Sequence, residues 1–272
     1  MTFDFIRHDR PVRRAGHLLV TGRGGTSRGR RRITLGLLAA GFGLYALASW
    51  AEPKFGFTPF PYDYTPESES RTNTLVVQNS NIYALHFDQC VPWKQMLANR
   101  PMPPDWARNW RRMAAQIPSD HTMYLALTPT GTDRETLAPG CADKEGETTS
   151  VPGEIRNAPF DDPRVMHAFT NYARAAIRRF KPDYINLGIE IDGLARSGRK
   201  WRQFSELFDH ARTALKREFP NLRVGVSFTL QSLLAPRIHR RVKGLVEKSD
   251  YLGLSFYPYG SPFGEKFGYP SG

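Results

Sequence analysis

Two hydrophobic periods take turns along most of this chain. Period two marks half-buried strands, and a recurrence every three to four residues marks amphipathic helices. Tyr83, Leu85 and Phe87 alternate with Ala84, His86 and Asp88, which predicts a strand with a polar tip. Met123, Leu125 and Leu127 alternate in a second strand that stops at Pro129. A third spans Asp183 to Asp192, a fourth Leu222 to Leu230 (Val224, Val226, Phe228 and Leu230 on one side), and a fifth Asp250 to Tyr257. Leu75–Val77 offers a further short strand. Between them run helical stripes: Trp106, Trp110, Met113, Ala114 and Ile117 after Asp105; Val165, Phe169, Tyr172, Ala173, Ala176, Ile177 and Phe180 after the Asp161-Asp162-Pro163 start; Phe204, Phe208, Ala211 and Leu215; and Ile238, Val242, Leu245 and Val246 after Pro236. The connection over 130–160 is Gly-, Pro- and Thr-rich and long enough to suggest a functional loop.

Strands alternating with helices imply a parallel sheet with βα connections. The Asp183–Asp192 stretch decides which kind. Ile185, Leu187, Ile189 and Ile191 share one strand face; Tyr184, Asn186, Gly188, Glu190 and Asp192 share the other. Ser227 and Ser255 repeat this small, polar face in later strands. An open doubly wound sheet is apolar on both faces, whereas a barrel has an apolar outside and a differently filled inside. The fold class expected is therefore α/β, of the (β/α)8 TIM-barrel type, with about five to six βα units in this chain. In such folds chemistry sits at the C-terminal strand ends, which is where Glu190 falls.

Charge and composition then place the domains. The chain has 272 residues, 40% hydrophobic, with a formal charge of +12. Residues 1–32 hold nine Arg against Asp4 and Asp9, so the remainder is only mildly basic and a nucleic-acid partner is not expected. Residues 33–51 (ITLGLLAAGFGLYALASWA) carry no charge and directly follow Arg30-Arg31-Arg32. They read as a signal peptide or a membrane anchor, with the basic head (1–32) left in the cytoplasm and the rest exported to the cell envelope or beyond. Residues 52–73 read as a Pro-rich linker and 74–272 as the catalytic-type domain. In an exported chain Cys90 and Cys141 are candidates for one disulfide. Two cysteines without histidine spacing give no metal site, and the Gly22–Gly25 run follows no strand, so no cofactor is expected.

Parallel strands bring their tips to one rim. It would gather His86, Asp88, Thr128, Glu190, Asp192, Ser227, Gln231, Tyr257 and Tyr259, with Trp93 and Trp201 in adjoining loops. Carboxylates amid aromatics, amides and hydroxyls suit a sugar: rings stack on pyranose faces, and acid/base groups act on the glycosidic bond. The run Phe180-Lys181-Pro182-Asp183-Tyr184, then Gly188-Ile189-Glu190-Ile191-Asp192, Val226-Ser227-Phe228 and Asp250 through Tyr257-Pro258 resembles the (β/α)8-barrel glycoside hydrolases, above all the arabinogalactan endo-β-1,4-galactanase family and its uncharacterised relatives. The resemblance covers roughly 80–260. It implies a polysaccharide or glycan substrate, Glu190 as general acid/base, and Ser255 and Tyr257 at the family's motif after the sixth strand; Asn186, on the polar strand face, is a further candidate to face the sugar.

The chain departs from that family in three respects. Ile189 stands where the family has Asn. The strand at 82–88 would be the barrel's second, with the first poorly marked. The sequence ends just after the sixth strand, before the family's nucleophilic Glu, which points to a truncated, partner-completed or inactive barrel. Asp192 lies roughly 6–7 Å along the same strand face, whereas a retaining pair flanks the bond about 5 Å apart. An inverting partnership with Asp88 fits geometrically. The rival expectation is a non-catalytic envelope protein that binds glycans or partners through the same rim.

Overall fold

The computed structural model describes residues 53–257. The expected basic head, the apolar segment 33–51 and Tyr259 lie outside the described residues. Six parallel strands form one sheet: β1 (Gly56–Phe57), β2 (Ile82–Phe87), β3 (Thr122–Leu127), β6 (Tyr184–Asn186), β7 (Arg223–Thr229) and β8 (Tyr251–Ser255). Two short strands, β4 (Gly140–Cys141) and β5 (Thr148–Thr149), pair antiparallel in the long connection. Every strand of the main sheet pairs with the one before it in sequence. A doubly wound sheet would reverse its order at a switch point; this sheet does not.

The helices follow in register: α1 (Pro66–Gln78), α2 (Trp93–Leu97), α3 (Pro104–Ala115), α4 (Pro163–Phe180), α5 (Gly198–Glu218), the short α6 (Leu230–Leu233) and α7 (Pro236–Lys248). Their starts are locally encoded. Asp162 accepts the Arg164 amide at 2.9 Å ahead of Pro163, and Ser197 caps α5. All of them pack on one sheet face. Tyr83, Leu85, Met123, Leu125, Leu127, Ile185, Val224, Val226 and Phe228 share a buried cluster with helix residues such as Trp110, Phe169, Phe204 and Leu207. Ile82, Ala84, Tyr124, Ala126, Ile189 and Tyr251 form a separate cluster made of strand and strand-end residues alone, with Tyr184 against it. Sequential parallel order and one-sided helix packing are the arrangement of the (β/α)8 barrel, with five to six of its units present.

Two aspartates hold the N-terminal ends of the strands. Asp183 Oδ2 accepts the Met123 amide at 2.8 Å, and Asp250 Oδ2 accepts the Val224 amide at 3.0 Å, each fixing the register of the preceding strand. Arg212 and Lys216 add ion pairs to Asp250 at 2.7 and 3.1 Å.

The boundary expected at residue 74 is corrected. Residues 53–73 of the expected linker hold β1, paired with β2 through Gly56–Ile82 and Phe57–Tyr83, and most of α1. Leu75–Val77 is helical rather than a strand. The Pro, Ser and Glu residues that look like linker composition are the start of α1: Thr65 caps Ser68, Pro66 takes the first turn, and Glu67 and Glu69 favour the helix's positive end. Only Ser68 and Val76 of this helix are buried, so its apolar stripe is too thin to read.

Candidate functional site at the sheet rim

The regular strand alternation of Asp183–Asp192 ends earlier than the sequence suggests. Leu187 still joins the ladder, its amide donating to the Gly225 carbonyl at 2.9 Å. A Cβ on Gly188, however, would meet Phe204 at 2.6 Å, so residue 188 turns toward the helices and only glycine fits there. Ile189 then falls on the inner face, and Ile191 returns to the helix-side core. Asn186 drives the slip. Its Oδ1 accepts the Gly188 amide at 2.9 Å, and its Nδ2 donates to Tyr124 and to Ser227 at 3.0 Å each. Ser227 Oγ in turn receives the Glu190 amide at 3.2 Å.

Glu190 therefore sits not in a strand but in the left-handed region, at φ 51°, immediately before a 3-10 turn over Ile191–Arg196. Its side chain is 13% exposed. The Tyr257 hydroxyl donates to Oε1, and Arg134 Nε lies 3.9 Å from Oε2. Partial burial and the carboxylate of Glu190 push the Tyr257 hydroxyl up to about 12, so it stays protonated and remains a donor. Arg134 also donates from Nη2 to Asp88 Oδ2 at 3.0 Å, and His86 Nε2 lies 3.6 Å from the same oxygen. His86 and Arg134 hold the Asp88 carboxyl well below the usual carboxylate range, against the opposing effect of burial. The rim is thus a connected series of polar side chains, His86–Asp88–Arg134–Glu190–Tyr257.

Arg134 is the participant that the sequence pattern did not single out. It lies in the long connection, whose first part is a tight turn. Asp133 accepts the amides of Glu135 and Thr136 at 2.8 and 3.0 Å, and Arg134 donates its own amide to Gly131. This turn holds Arg134 at φ 56°, a second left-handed residue at the rim. The signal available was Gly131-Thr132-Asp133, a turn signature, within a loop already marked by its length. The rest of the connection is tied down over β2. The Cys90–Cys141 disulfide joins it to the loop after Asp88, Val91 bridges Gly140, and the indoles of Trp93 and Trp106 donate to Ala138 and Ala142 at 2.8 and 2.7 Å.

Several sugar-facing expectations need correction. Trp93 is 0% exposed, and Trp201 lies within α5 against Phe204 and Phe228, so neither presents a stacking face. Asn186, Ser227 and Ser255 are buried, and the first two have their polar atoms engaged in placing Glu190. Asp192 does not share a strand face with Glu190. It is buried in the 3-10 turn, accepting the Thr229 amide at 2.9 Å and the hydroxyls of Thr229 and Ser232 at 3.1 and 2.7 Å, bonds that anchor the turn to the end of β7. Gln231 donates to the Tyr257 carbonyl at 2.7 Å, which ties it to the strand end that carries Tyr257. His86, Asp88, Glu190 and Tyr257 are brought together. Among the described residues no cluster of acidic, histidine or cysteine side chains could hold a metal ion.

Chemically, the rim offers one carboxylate held by a phenol and a guanidinium, with a second carboxylate on the far side of that guanidinium. Two surface clefts, one lined by Asp105, Arg112 and Glu145 and the other by Lys181, Asp183 and Asn221, contain none of these residues. No family model and no curated protein matches this chain. Among solved structures it is similar to an Ignisphaera aggregans GH53 catalytic domain, with a TM-score of 0.41 and 16% identity over 63% of this chain, which spans 46% of that domain's length.

Proposed function

We propose that this chain is an exported protein of the glycoside-hydrolase type that acts on a polysaccharide or glycan, with Glu190 as general acid/base. The observation that carries the reading is the placement of Glu190. Asn186, Gly188 and Ser227 combine to break a strand early and hold a glutamate in a left-handed conformation at the C-terminal rim. A bulky residue there costs on the order of 1–3 kcal/mol, a cost that recurs where geometry serves chemistry. As acid, Glu190 gives its proton to the glycosidic oxygen as the C–O bond breaks; as base, it takes one from the incoming water. The Cys90–Cys141 disulfide and the Arg-rich head followed by an uncharged segment support export. Among the described residues no helix is long and apolar enough to cross a membrane.

A second reading, a rim that binds glycans without cleaving them, rests on Arg134. Its guanidinium donates to Asp88 and lies 3.9 Å from Glu190, so its positive charge offsets the negative charge with which either carboxylate would activate water. Reducing-end release from a panel of plant and bacterial polysaccharides separates the two. The catalytic reading expects the full chain to hydrolyse one of them and Glu190→Gln to lose about a hundredfold or more. Equal rates for the two proteins would overturn it, and retention on a polysaccharide without hydrolysis by either would establish the binding reading.

A further inference from the structure

The charge of the folded part is unevenly distributed. Residues 53–163 hold 10 Lys and Arg against 14 Asp and Glu, whereas residues 164–248 hold 18 against 7. Much of the excess gathers where the 3-10 turn after Glu190, the first turns of α5 and the start of α7 meet. Arg196, Arg199, Arg202, Arg237 and Arg240 are exposed there, with Arg241 half-buried among them. Arg241 ties the elements together: its Nη1 donates to the Ala195 and Arg196 carbonyls at 2.6 and 3.1 Å, and a Cβ at Gly198 would lie 3.7 Å from its Nη2. Arg199 and Arg202 stand three apart on α5, and Arg237, Arg240 and Arg241 stand three and four apart on α7, so each set shares a helix face.

None of these six arginines makes an ion pair with a described residue. Other cations of the same helices do: Arg212 and Lys216 with Asp250, Lys248 with Asp209, Lys243 with Glu247 and Lys200 with Glu135. Uncompensated like charges repel, a cost that a bound polyanion would relieve. The planar guanidinium fork matches carboxylate and sulfate oxygens two at a time, which a lysine cluster would not. The cluster begins at the end of the turn that Glu190 opens, so a polymer leaving the Glu190 rim on that side would run onto it.

We propose that this arginine cluster is a binding surface for an acidic glycan, a chain bearing carboxylate or sulfate groups, and that it selects such a polymer for the Glu190 rim. The selection rests on the catalytic reading above; the binding surface does not.

The test is electrophoresis of the full chain in native gels containing polygalacturonate or neutral galactan, alongside hydrolysis of both. Polygalacturonate should retard the wild type and galactan should not. The variant Arg196→Ser/Arg199→Ser/Arg237→Ser/Arg240→Ser should need about tenfold or more polygalacturonate for equal retardation. A control carrying Arg178→Ser, Arg179→Ser and Arg217→Ser, outside the cluster, should behave as wild type. Thermal melting checks folding; if the quadruple variant is unfolded, Arg237→Ser and Arg240→Ser on exposed helix surface are compared singly. An unretarded wild type, equal losses in the control, or tighter binding to duplex DNA or to phosphatidylserine vesicles would overturn the proposal. Glu190→Gln should be retarded like wild type. Retardation without hydrolysis therefore removes the catalytic reading alone, and hydrolysis of galactan without retardation by polygalacturonate removes this one alone.

Discussion

Glu190 and Arg134 approach each other from different loops, and both are in the left-handed region. Each is held there by a side chain that captures a backbone amide: Ser227 takes that of Glu190, and Asp133 those of Glu135 and Thr136 just after Arg134. Asp88 completes the group from just past the C-terminal end of β2. Because His86 and Arg134 lower its native pKa beneath the unfolded value of about 3.9, Asp88 stabilises the fold above that pH. This contribution disappears as pH falls through the lower native value, since the unfolded chain then binds the proton first. Asp88→Asn is expected to be less stable than wild type at neutral pH, with urea midpoints that converge as the solution is acidified toward about pH 2. A gap that stays constant over that range would show that Asp88 acts by packing rather than by charge.

Among the elements, β6 and β1 depart most from what their sequences suggest. β6 is three residues long because Asn186 and Gly188 divert the chain from the ladder. Four alternating aliphatic residues imply a longer strand, yet Leu187 and Ile191 face the helices while Ile189 faces the inner side. β1 is two residues long and sits at the sheet edge. A Cβ on Gly56 would lie 2.2 Å from the Ile82 carbonyl oxygen, so the β1–β2 pairing requires glycine. Gly56→Ala is expected to destabilise by about 1–3 kcal/mol, lowering the melting temperature by about 2–4 °C for each kcal/mol. Were residues 52–73 a linker, the substitution would leave the melting temperature unchanged.

For the whole molecule, the sheet supplies a one-sided core and the long connection is fastened across its rim. The disulfide links residues 51 apart and couples the loop after Asp88 to the loop that carries Arg134. In the chain-entropy account, closing a loop of that length contributes roughly 4 kcal/mol. Reduction is expected to lower stability by about 2–4 kcal/mol and to expose the 131–150 segment to proteolysis before the sheet. Denaturant titration with and without reductant, followed by mapping of the first cleavage sites, checks both. Cleavage that begins in α4 or α5 would show instead that the disulfide supports the whole sheet.

The alternation of strand and helix, the parallel sheet and the rim position of Asp88, Glu190 and Tyr257 were legible because they depend on periods of two and 3.6 and on the polarity of strand ends, all local properties. The Asp-Tyr starts at 183 and 250 and the Pro-led helices at 163 and 236 belong to the same class. The identity of the residues that touch was decided only by tertiary structure. Trp93 is buried by the long connection folding over it, Asp192 is taken by Thr229 and Ser232 on the next unit, and Arg134 reaches Glu190 from more than fifty residues earlier. Such pairings depend on which loops meet at the rim. A period along the chain carries no information about that, because it fixes the face a residue occupies and not the neighbour it finds there.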